Sequence, residues 1–289
     1  MAWLLLIPGV PVAVFLYAVF IERLNFKIRR LKITADVKKT ITILHISDLH
    51  FRSSQGKKAR FIKSLSKLNP DLVINTGDNL GGLDQEQSTV SALKPLLNFP
   101  GGFVYGGNDY KGPVFKNPLG YLTKPSSGKS LPNLKTEKLT EGFSNWVNLN
   151  NDSKIIEING QKIQLMGLDD PHEQFDNPAK LEKTIGAKKV DYKIGVVHAP
   201  YHRAIQQLGL QGADLVLAGH THGGQVCLPG GKALTTNCDL PVEFARGNSS
   251  WSFDGQDVEL NVSAGLGTSI FAPFRLFCPP EVTLIELSN

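Results

Sequence analysis

Apolar and polar positions along the chain change period in a regular order, and that order predicts its elements. Ile41 to Ile46 is β-rich and ends at Ser47-Asp48. Phe61, Ile62, Leu65 and Leu68 then share one helical face, and Asn69-Pro70 stops that helix. Leu72-Val73-Ile74 follows as a second strand and ends at Gly77-Asp78. A strand–helix–strand unit implies parallel neighbours. Asp48 and Asp78 therefore emerge at one carboxyl edge, where open α/β sheets place their ligands. The pattern repeats with a helix from about Gln85 to Leu97, a strand at Phe103 to Tyr105 and the loop Gly106-Gly107-Asn108-Asp109. The polar stretch from Lys111 to Thr140 has no period and reads as a loop or lid. Two β-rich runs between Lys154 and Met166 flank Asn159-Gly160, a type I′ hairpin signature. Tyr192 to Val197 ends at His198, and Leu215 to Ala218 ends at Gly219-His220-Thr221-His222. Val258 to Val262 and Val282 to Leu287 read as closing strands. Alternation followed by hairpins predicts an α/β fold of two packed sheets with helices outside.

The first residues have a different character. Ala2 to Ile21 carries no charge, about the length needed to cross a bilayer as a helix. The start lacks a basic region and no Ala-x-Ala follows, so an uncleaved anchor is expected, not a signal peptide. Arg23, Lys27, Arg29, Arg30 and Lys32 lie directly behind it, which favours a cytoplasmic catalytic side. Pro8 and Pro11 would kink a helix, and a core helix or interfacial hairpin is the competing account. The expected organisation is an anchor at 1–22, a basic connector at 23–38 and one domain at 39–289. At 289 residues, 41% hydrophobic and 20% charged, the chain has globular composition without a disordered tract. Cys227, Cys238 and Cys278 form no paired spacing, which argues against a disulfide scaffold or structural zinc site.

The chemistry lies where strands end. Asp48-Leu49-His50, Gly77-Asp78, Asn108-Asp109, His198 and His220-Thr221-His222 each follow an apolar run. A lone His-x-His is a weak signal, but five such segments are hard to read as surface decoration. Carboxylate, imidazole and amide donors together suit manganese, iron or zinc better than calcium or magnesium. A carboxylate shared by two ions would hold them roughly 3.5–4 Å apart, the spacing used for phosphoryl chemistry. Such a pair neutralises phosphate oxygens and lowers the pKa of a bridging water, whose hydroxide attacks phosphorus in line. His45 lies inside the first strand and reads as a hydrogen-bonded core residue.

Asp48-x-His50, Gly77-Asp78, the Asn-bearing loop, His198 and Gly219-His220-x-His222, in this order, resemble the calcineurin-like metallophosphoesterase superfamily. The resemblance covers essentially everything after the anchor and implies a four-layer α/β/β/α sandwich of two mixed sheets flanked by helices. It implies that Asp48, His50 and His222 hold one divalent ion, that Asp78 bridges, and that Asn108, His198 and His220 hold a second. Gly223-Gly224-Gln225, Gly265-Leu266-Gly267-Thr268-Ser269 and Cys278-Pro279-Pro280-Glu281 are similar to a membrane-associated bacterial branch. Some of its members cleave pyrophosphate bonds in UDP-linked acylated sugars.

One loop departs from the family, which usually has Gly-Asn-His followed by an acid, the His protonating the leaving oxygen. Here Gly106-Gly107-Asn108-Asp109-Tyr110 admits two alignments. Either Asn108 is the ligand and Asp109 replaces the His, or Asn108 replaces the His and Gly107 the ligand; the first keeps the metal site whole. General acid help contributes about 10²–10⁴-fold, so its loss hurts a pyrophosphate or activated ester least. His172, His202 and Tyr110 are candidate substitutes. The expected catalytic set is Asp78, Asn108, Asp109 and His198.

The expected function is hydrolysis of a phosphodiester or pyrophosphate bond in a lipid-linked or nucleotide-linked substrate at a membrane. A metal-binding scaffold with weakened activity is one rival, resting on the altered loop. A nuclease is another; no basic groove beyond residue 40 supports it. Phe271, Phe274 and Phe277 suit core packing first and an acyl chain second.

Overall fold

The computed structural model describes residues 10–112, 134, 136–186 and 189–289. The chain is helical from residue 10, π-helical over Tyr17–Ile21 and 3₁₀ over Glu22–Leu24. It then enters strand β1 (Lys27–Thr34), followed by β2 (Ile41–Ile46), α1 (Gly56–Ser64), β3 (Leu72–Asn75), α2 (Glu86–Leu93) and β4 (Gly101–Phe103). A short helix α3 (Gly107–Tyr110), α4 (Thr136–Gly142) and β5 (Val147–Asn148) complete the first half. The second half runs β6 (Asp152–Ile158), β7 (Gln161–Gly167), α5 (Pro178–Thr184), β8 (Tyr192–Val196), α6 (His202–Leu210) and β9 (Leu215–Ala218). A small ribbon of β10 (Cys227–Leu228) and β11 (Lys232–Ala233) precedes β12 (Gly247–Phe253), β13 (Gln256–Val262) and β14 (Glu281–Ser288).

Two six-stranded sheets result, in the orders β1-β14-β2-β3-β4-β5 and β12-β13-β9-β8-β7-β6. Both are mixed: β2, β3 and β4 run parallel while β14 runs antiparallel to β2. In the other sheet β7, β8, β9 and β13 run parallel, with β6 and β12 antiparallel at the edges. The period-2 side-chain alternation of strands decides the layering. Ile41, Ile43 and Ile74 face the second sheet, where they pack with Leu165, Ile194 and Leu217. Leu44, Ile46 and Val73 face outward onto Ile62, Leu65 and Leu93 of the helical layer. On the far side Val216 and Ala218 meet Ala204, Ile205 and Leu208 of α6. The layers are therefore helix, sheet, sheet, helix.

Sequence and structure differ at several places. Lys27–Thr34, expected as a connector, is β1 and pairs parallel with β14 along its whole length. Its basic residues hid the strand; charged edges are also how sheets avoid pairing with other chains. The third strand sits two residues earlier than expected, because Gly101 and Gly102 carry no strand signal yet pair with β3. β12, with its run Gly247-Asn248-Ser249-Ser250, was missed for the same lack of apolar positions. The Asn159-Gly160 turn is as expected, with φ of 53° and 76°. Most of the expected 111–140 loop lies outside the described residues, as does the start of the expected anchor. Among the described residues no helix is long and apolar enough to cross a membrane.

His45 points inward between the sheets and joins them. Its ring nitrogens lie 3.0 Å from Asn261 Oδ1 on β13 and 3.0 Å from Thr76 Oγ1. Burial lowers its pKa to about 4, although the Asn261 bond opposes the fall. An unfolded histidine titrates near about 6.5. Between those two values the unfolded chain binds more protons, so His45 stabilises fully above about pH 6.5 and ever less toward pH 4. We expect denaturant unfolding to show a loss of about 3 kcal/mol from this residue over that window. His45→Gln should remove that part of the pH dependence; an unchanged slope would contradict the assignment.

Candidate metal centre

Every donor predicted from sequence sits just beyond the carboxyl end of a parallel strand. Asp48 and His50 follow β2, Asp78 follows β3, and Asn108 and Asp109 lie on α3 after β4. His198 follows β8, and His220 and His222 follow β9, so both sheets deliver donors to one edge. The backbone there is bent sharply. Asp48, His50, Asp78, His220 and His222 have φ of 48°, 36°, 55°, 69° and 51°, a left-handed region uncommon for any residue but Gly, although Asn, Asp and His enter it more often than other side chains. Each such conformation costs of order 1–3 kcal/mol and persists only when its surroundings over-determine it. Here Asp48 N donates to Gly77 O at 2.9 Å and His50 N to Asp78 O at 2.9 Å, zipping two donor loops together. Gly106 permits a close approach: a Cβ there would lie 2.4 Å from Asp78 Oδ1 and 2.6 Å from His198 Nε2.

Asp48, His50, Asp78 and His222 each present a donor atom, all within 4.8 Å of one another. His50 Nε2 lies 3.1 Å from His222 Nε2 and 3.4 Å from Asp78 Oδ2, while His222 Nε2 lies 3.6 Å from Asp48 Oδ1. On the other side of Asp78, His198 Nε2 stands 3.5 Å from Oδ1. Asn108 reaches the same carboxylate twice, its backbone N donating to Oδ1 at 2.8 Å and Nδ2 to Oδ2 at 2.6 Å. The His220 ring lies 5.3 Å from that of His198, and its backbone N donates to the Asp48 carboxylate. Asp78 thus stands between two groups of donors.

Outer contacts fix which ring nitrogens face the centre. His198 Nδ1 meets Thr76 O at 2.7 Å and His222 Nδ1 meets Gly267 O at 3.3 Å, which turns Nε2 of each inward. His220 does the reverse, giving Nε2 to Asn237 O at 3.2 Å. Burial lowers His50 to about 4 and holds His220 and His222 well below the usual imidazole value. Burial also opposes charge on His198, yet Asp78, Asp170 and Asp48 raise it to about 9. Asp78 is held low by His198 and His50 in spite of its burial, while burial raises Asp48 to about 6. The neutral imidazoles of His50, His220 and His222 facing buried carboxylates, with His198 once it gives up its proton to an incoming cation, form a donor set that suits a borderline divalent cation.

Other expected residues fall elsewhere. Asp109 is fully buried and accepts from Asn79 N, Asn79 Nδ2, Leu80 N and Gly106 N at 2.7 to 3.2 Å. Burial and the Asp78 charge push it up to about 7. Its oxygens serve the loop backbone, so it organises this segment, and the expected exchange with the family's acid does not follow from its surroundings. Tyr110 gives its hydroxyl to Asp169 at 2.8 Å, and His202 packs on Trp251 and Phe253. His172 alone of the three candidate acids reaches the centre, its ring 4.6 Å from that of His220.

Two participants escaped the sequence. Asp170 is 1% exposed and lies beside the Gly107 backbone and His198, and its Oδ2 has no hydrogen-bond partner among the described residues. Arg275 is fully buried, with no carboxylate in ion-pair range among the described residues. Its guanidinium donates to the carbonyls of His222, Ala264, Gly265, Gly267 and Cys278. It therefore clamps the His222 loop to the Gly265–Gly267 loop that buttresses Asp48 and His50. The Phe271-x-x-Phe274-Arg275 run looked like core packing; a lone arginine amid aromatics was the missed signal.

Two substitutions test this geometry. Gly106→Ala should preserve the circular dichroism spectrum while weakening manganese binding by roughly 10–100-fold in calorimetry. Arg275→Met strands five carbonyl acceptors and should cost at least about 2 kcal/mol in denaturant unfolding, with Arg275→Lys recovering part of it. Wild-type behaviour of either variant would refute the contact that motivates it.

Residues 41–224 match the family described as calcineurin-like phosphoesterase. Among relatives, a YpbG protein of Bacillus subtilis is 29% identical, covering 86% of this chain and 82% of that one. The UDP-2,3-diacylglucosamine pyrophosphatase LpxG of Chlamydia muridarum is 27% identical, covering 97% and 94%. The phosphodiesterase YaeI of Escherichia coli is also 27% identical, covering 89% and 86%. The NAD nucleotidase of Haemophilus influenzae shares the fold, with TM-score 0.52 and 15% identity over 79% of this chain and 46% of its own. The family match, taken with the buried carboxylate–imidazole cluster at the sheet edge, makes this chain a member of the calcineurin-like phosphoesterases, a metallophosphoesterase that acts on phosphate esters.

Proposed function

We propose that the chain hydrolyses a phosphodiester or pyrophosphate bond with two divalent cations, manganese, iron or zinc, on a lipid-linked or nucleotide-linked substrate. The observation that carries this is the place of Asp78, whose two oxygens face donors on opposite sides at 3.4 and 3.5 Å. Asp48, His50 and His222 would hold one ion, Asn108, His198 and His220 the other, and Asp78 would be shared. When bound, such ions neutralise phosphoryl charge and activate water.

The side chains then have separate tasks. Asn108, anchored to Asp78 through backbone and amide, fixes the loop against which a phosphoryl group settles. His172, next to His220 and bonded through Nδ1 to Tyr201 Oη at 2.9 Å, is placed to give a proton to the leaving oxygen. Asp170 Oδ1 accepts the His172 backbone N–H at 2.9 Å, which holds this loop beside the centre. LpxG and YaeI carry names of pyrophosphate and phosphodiester hydrolysis, which supports the same bond types here.

We place the N-terminal segment at a membrane. Val10, Val12, Phe15 and Phe20 are exposed there, and so are Phe271 and Phe277 on the loop that Phe15 touches through Phe274. The exposed basic residues of β1 follow directly, in the position that suits anionic headgroups. A metal-binding scaffold without turnover is the competing account, and one assay separates them.

Purified protein loaded with manganese, iron or zinc should hydrolyse bis-4-nitrophenyl phosphate, and Asp78→Ala should lower kcat by at least about 10³-fold. Undiminished turnover in that variant would refute the site, and ion binding without any turnover would favour the scaffold. His172→Gln should cost about 10²-fold or more on an alkyl diester but far less with a 4-nitrophenyl leaving group. Equal losses on both would remove His172 from proton donation.

A further inference from the structure

The three cysteines show no paired spacing, yet the fold brings two of them together behind the His222 turn. Cys227 opens β10, and Cys278 lies on the segment that leads into β14. Those segments are bridged at Val226 and Leu276, and Cys227 N donates to Leu276 O at 2.9 Å. Paired backbones run roughly 4.8 Å apart. Residues a step or two beyond the bridge therefore fall within the roughly 4.4–6.8 Å over which a disulfide spans Cα atoms. Phe277 has a left-handed φ of 54°, rare for an aromatic residue, and at this bend Phe277 is exposed while Cys278 is buried. Both thiols reach one acceptor, Gly223 O, from Cys227 Sγ at 3.2 Å and Cys278 Sγ at 3.4 Å, and they hydrogen-bond each other. Cys238 packs in a different cluster, with the α6 layer.

Buried thiols can serve as plain apolar filling, and Ala233, Ala245 and Ala264 around this pair would suit that. Two features do not. Arg246 Nη1 donates to Cys278 Sγ at 3.4 Å, and Arg275 Nη1 reaches the same sulfur at 3.8 Å. Guanidinium groups beside sulfur favour reaction there, because a sulfur gathers negative charge as it attacks. The second feature is a cavity of about 290 Å³ lined by Glu22, Gly231, Arg246, Phe277 and Pro279. Arg246 spans from that cavity to the sulfur, so a small oxidant has a way in. Among the described residues no third donor completes a metal cluster with the two sulfurs.

The pair also supports the metal centre from the rear, since Cys278 Sγ donates to His222 O at 3.3 Å and both thiols hold Gly223 O. We propose that Cys227 and Cys278 form a peroxide-sensitive dithiol that closes as a disulfide and, in closing, loosens the His222 turn. A peroxide oxidises one thiol to a sulfenic acid: its O–O bond breaks, an S–O bond forms and one water leaves. The other thiol attacks that sulfur, the S–O bond breaks and a second water leaves with its proton. Two thiols and one hydrogen peroxide thus give one disulfide and two waters, sulfur oxidised and peroxide oxygen reduced. Either sulfur may be the first to react; the product is the same. The bond removes both S–H groups, so the carbonyls of His222 and Gly223 lose those donors. Support behind a metal-ligating histidine is worth about 10–100-fold in metal affinity. The effect on the centre rests on the functional assignment above, whereas the bond itself does not.

Reduced protein, dialysed free of metal and treated with hydrogen peroxide, should lose two of its three thiols to alkylation under denaturing conditions. Mass spectrometry of a non-reducing digest should show the Cys227 and Cys278 peptides joined. Cys238→Ser should leave that link intact, and Cys227→Ser or Cys278→Ser should abolish it. Manganese affinity in calorimetry should fall about tenfold or more in the oxidised protein and return with a phosphine reductant. Three thiols still reactive, or a link through Cys238, would overturn the pair. A link between Cys227 and Cys278 with unchanged manganese affinity would overturn its control of the centre. Failure of the reduced protein to bind manganese would overturn the metal-site assignment instead, and the thiol count would still decide the pair. That count is made on wild-type protein, so it stands whether or not a serine variant folds.

Discussion

The structure depends on one buried carboxylate. Asp78 leaves β3 in a left-handed conformation, its carbonyl takes the His50 N–H, and its two oxygens face imidazoles from both sheets. Nothing about a sandwich of two sheets requires such a meeting. It arises because parallel strands of both sheets end at the same edge and because their loops bind each other before they bind anything else. Strain in five backbone positions is the cost of that convergence.

The surrounding polar groups follow from it. Four carboxylates and four imidazoles in little space would repel or desolvate one another if left alone. Burial keeps His50, His220 and His222 neutral, the carboxylates charge His198, and four N–H donors absorb Asp109. Arg275 and Lys58 sit behind the donor loops, holding carbonyls at the backs of Asp48, His50 and His222. The scaffold thus supplies rigidity from the rear and leaves the donor atoms to face inward.

Much of this was legible in the chain. Strand ends marked by Asp48, Asp78, His198 and His220 were visible because short apolar runs stop abruptly at polar residues, and a parallel sheet turns that sequence rhythm into a shared edge. What was hidden lacked contrast. β1 is written in lysine and arginine, and β12 in serine and asparagine, so pairing with a neighbour, not their own pattern, makes them strands. Asp109 aligned with a proton donor by sequence, but only coordinates reveal four donors around it. Arg275 and Lys58 were invisible because a buried cation is exceptional, and sequence offers no sign of which lysine will be covered.

Anomalous diffraction from crystals grown with manganese would test the central claim most directly. The account predicts two peaks flanking the Asp78 carboxylate, one against Asp48, His50 and His222 and the other against Asn108, His198 and His220. A single peak, or none at this carboxylate, would contradict it.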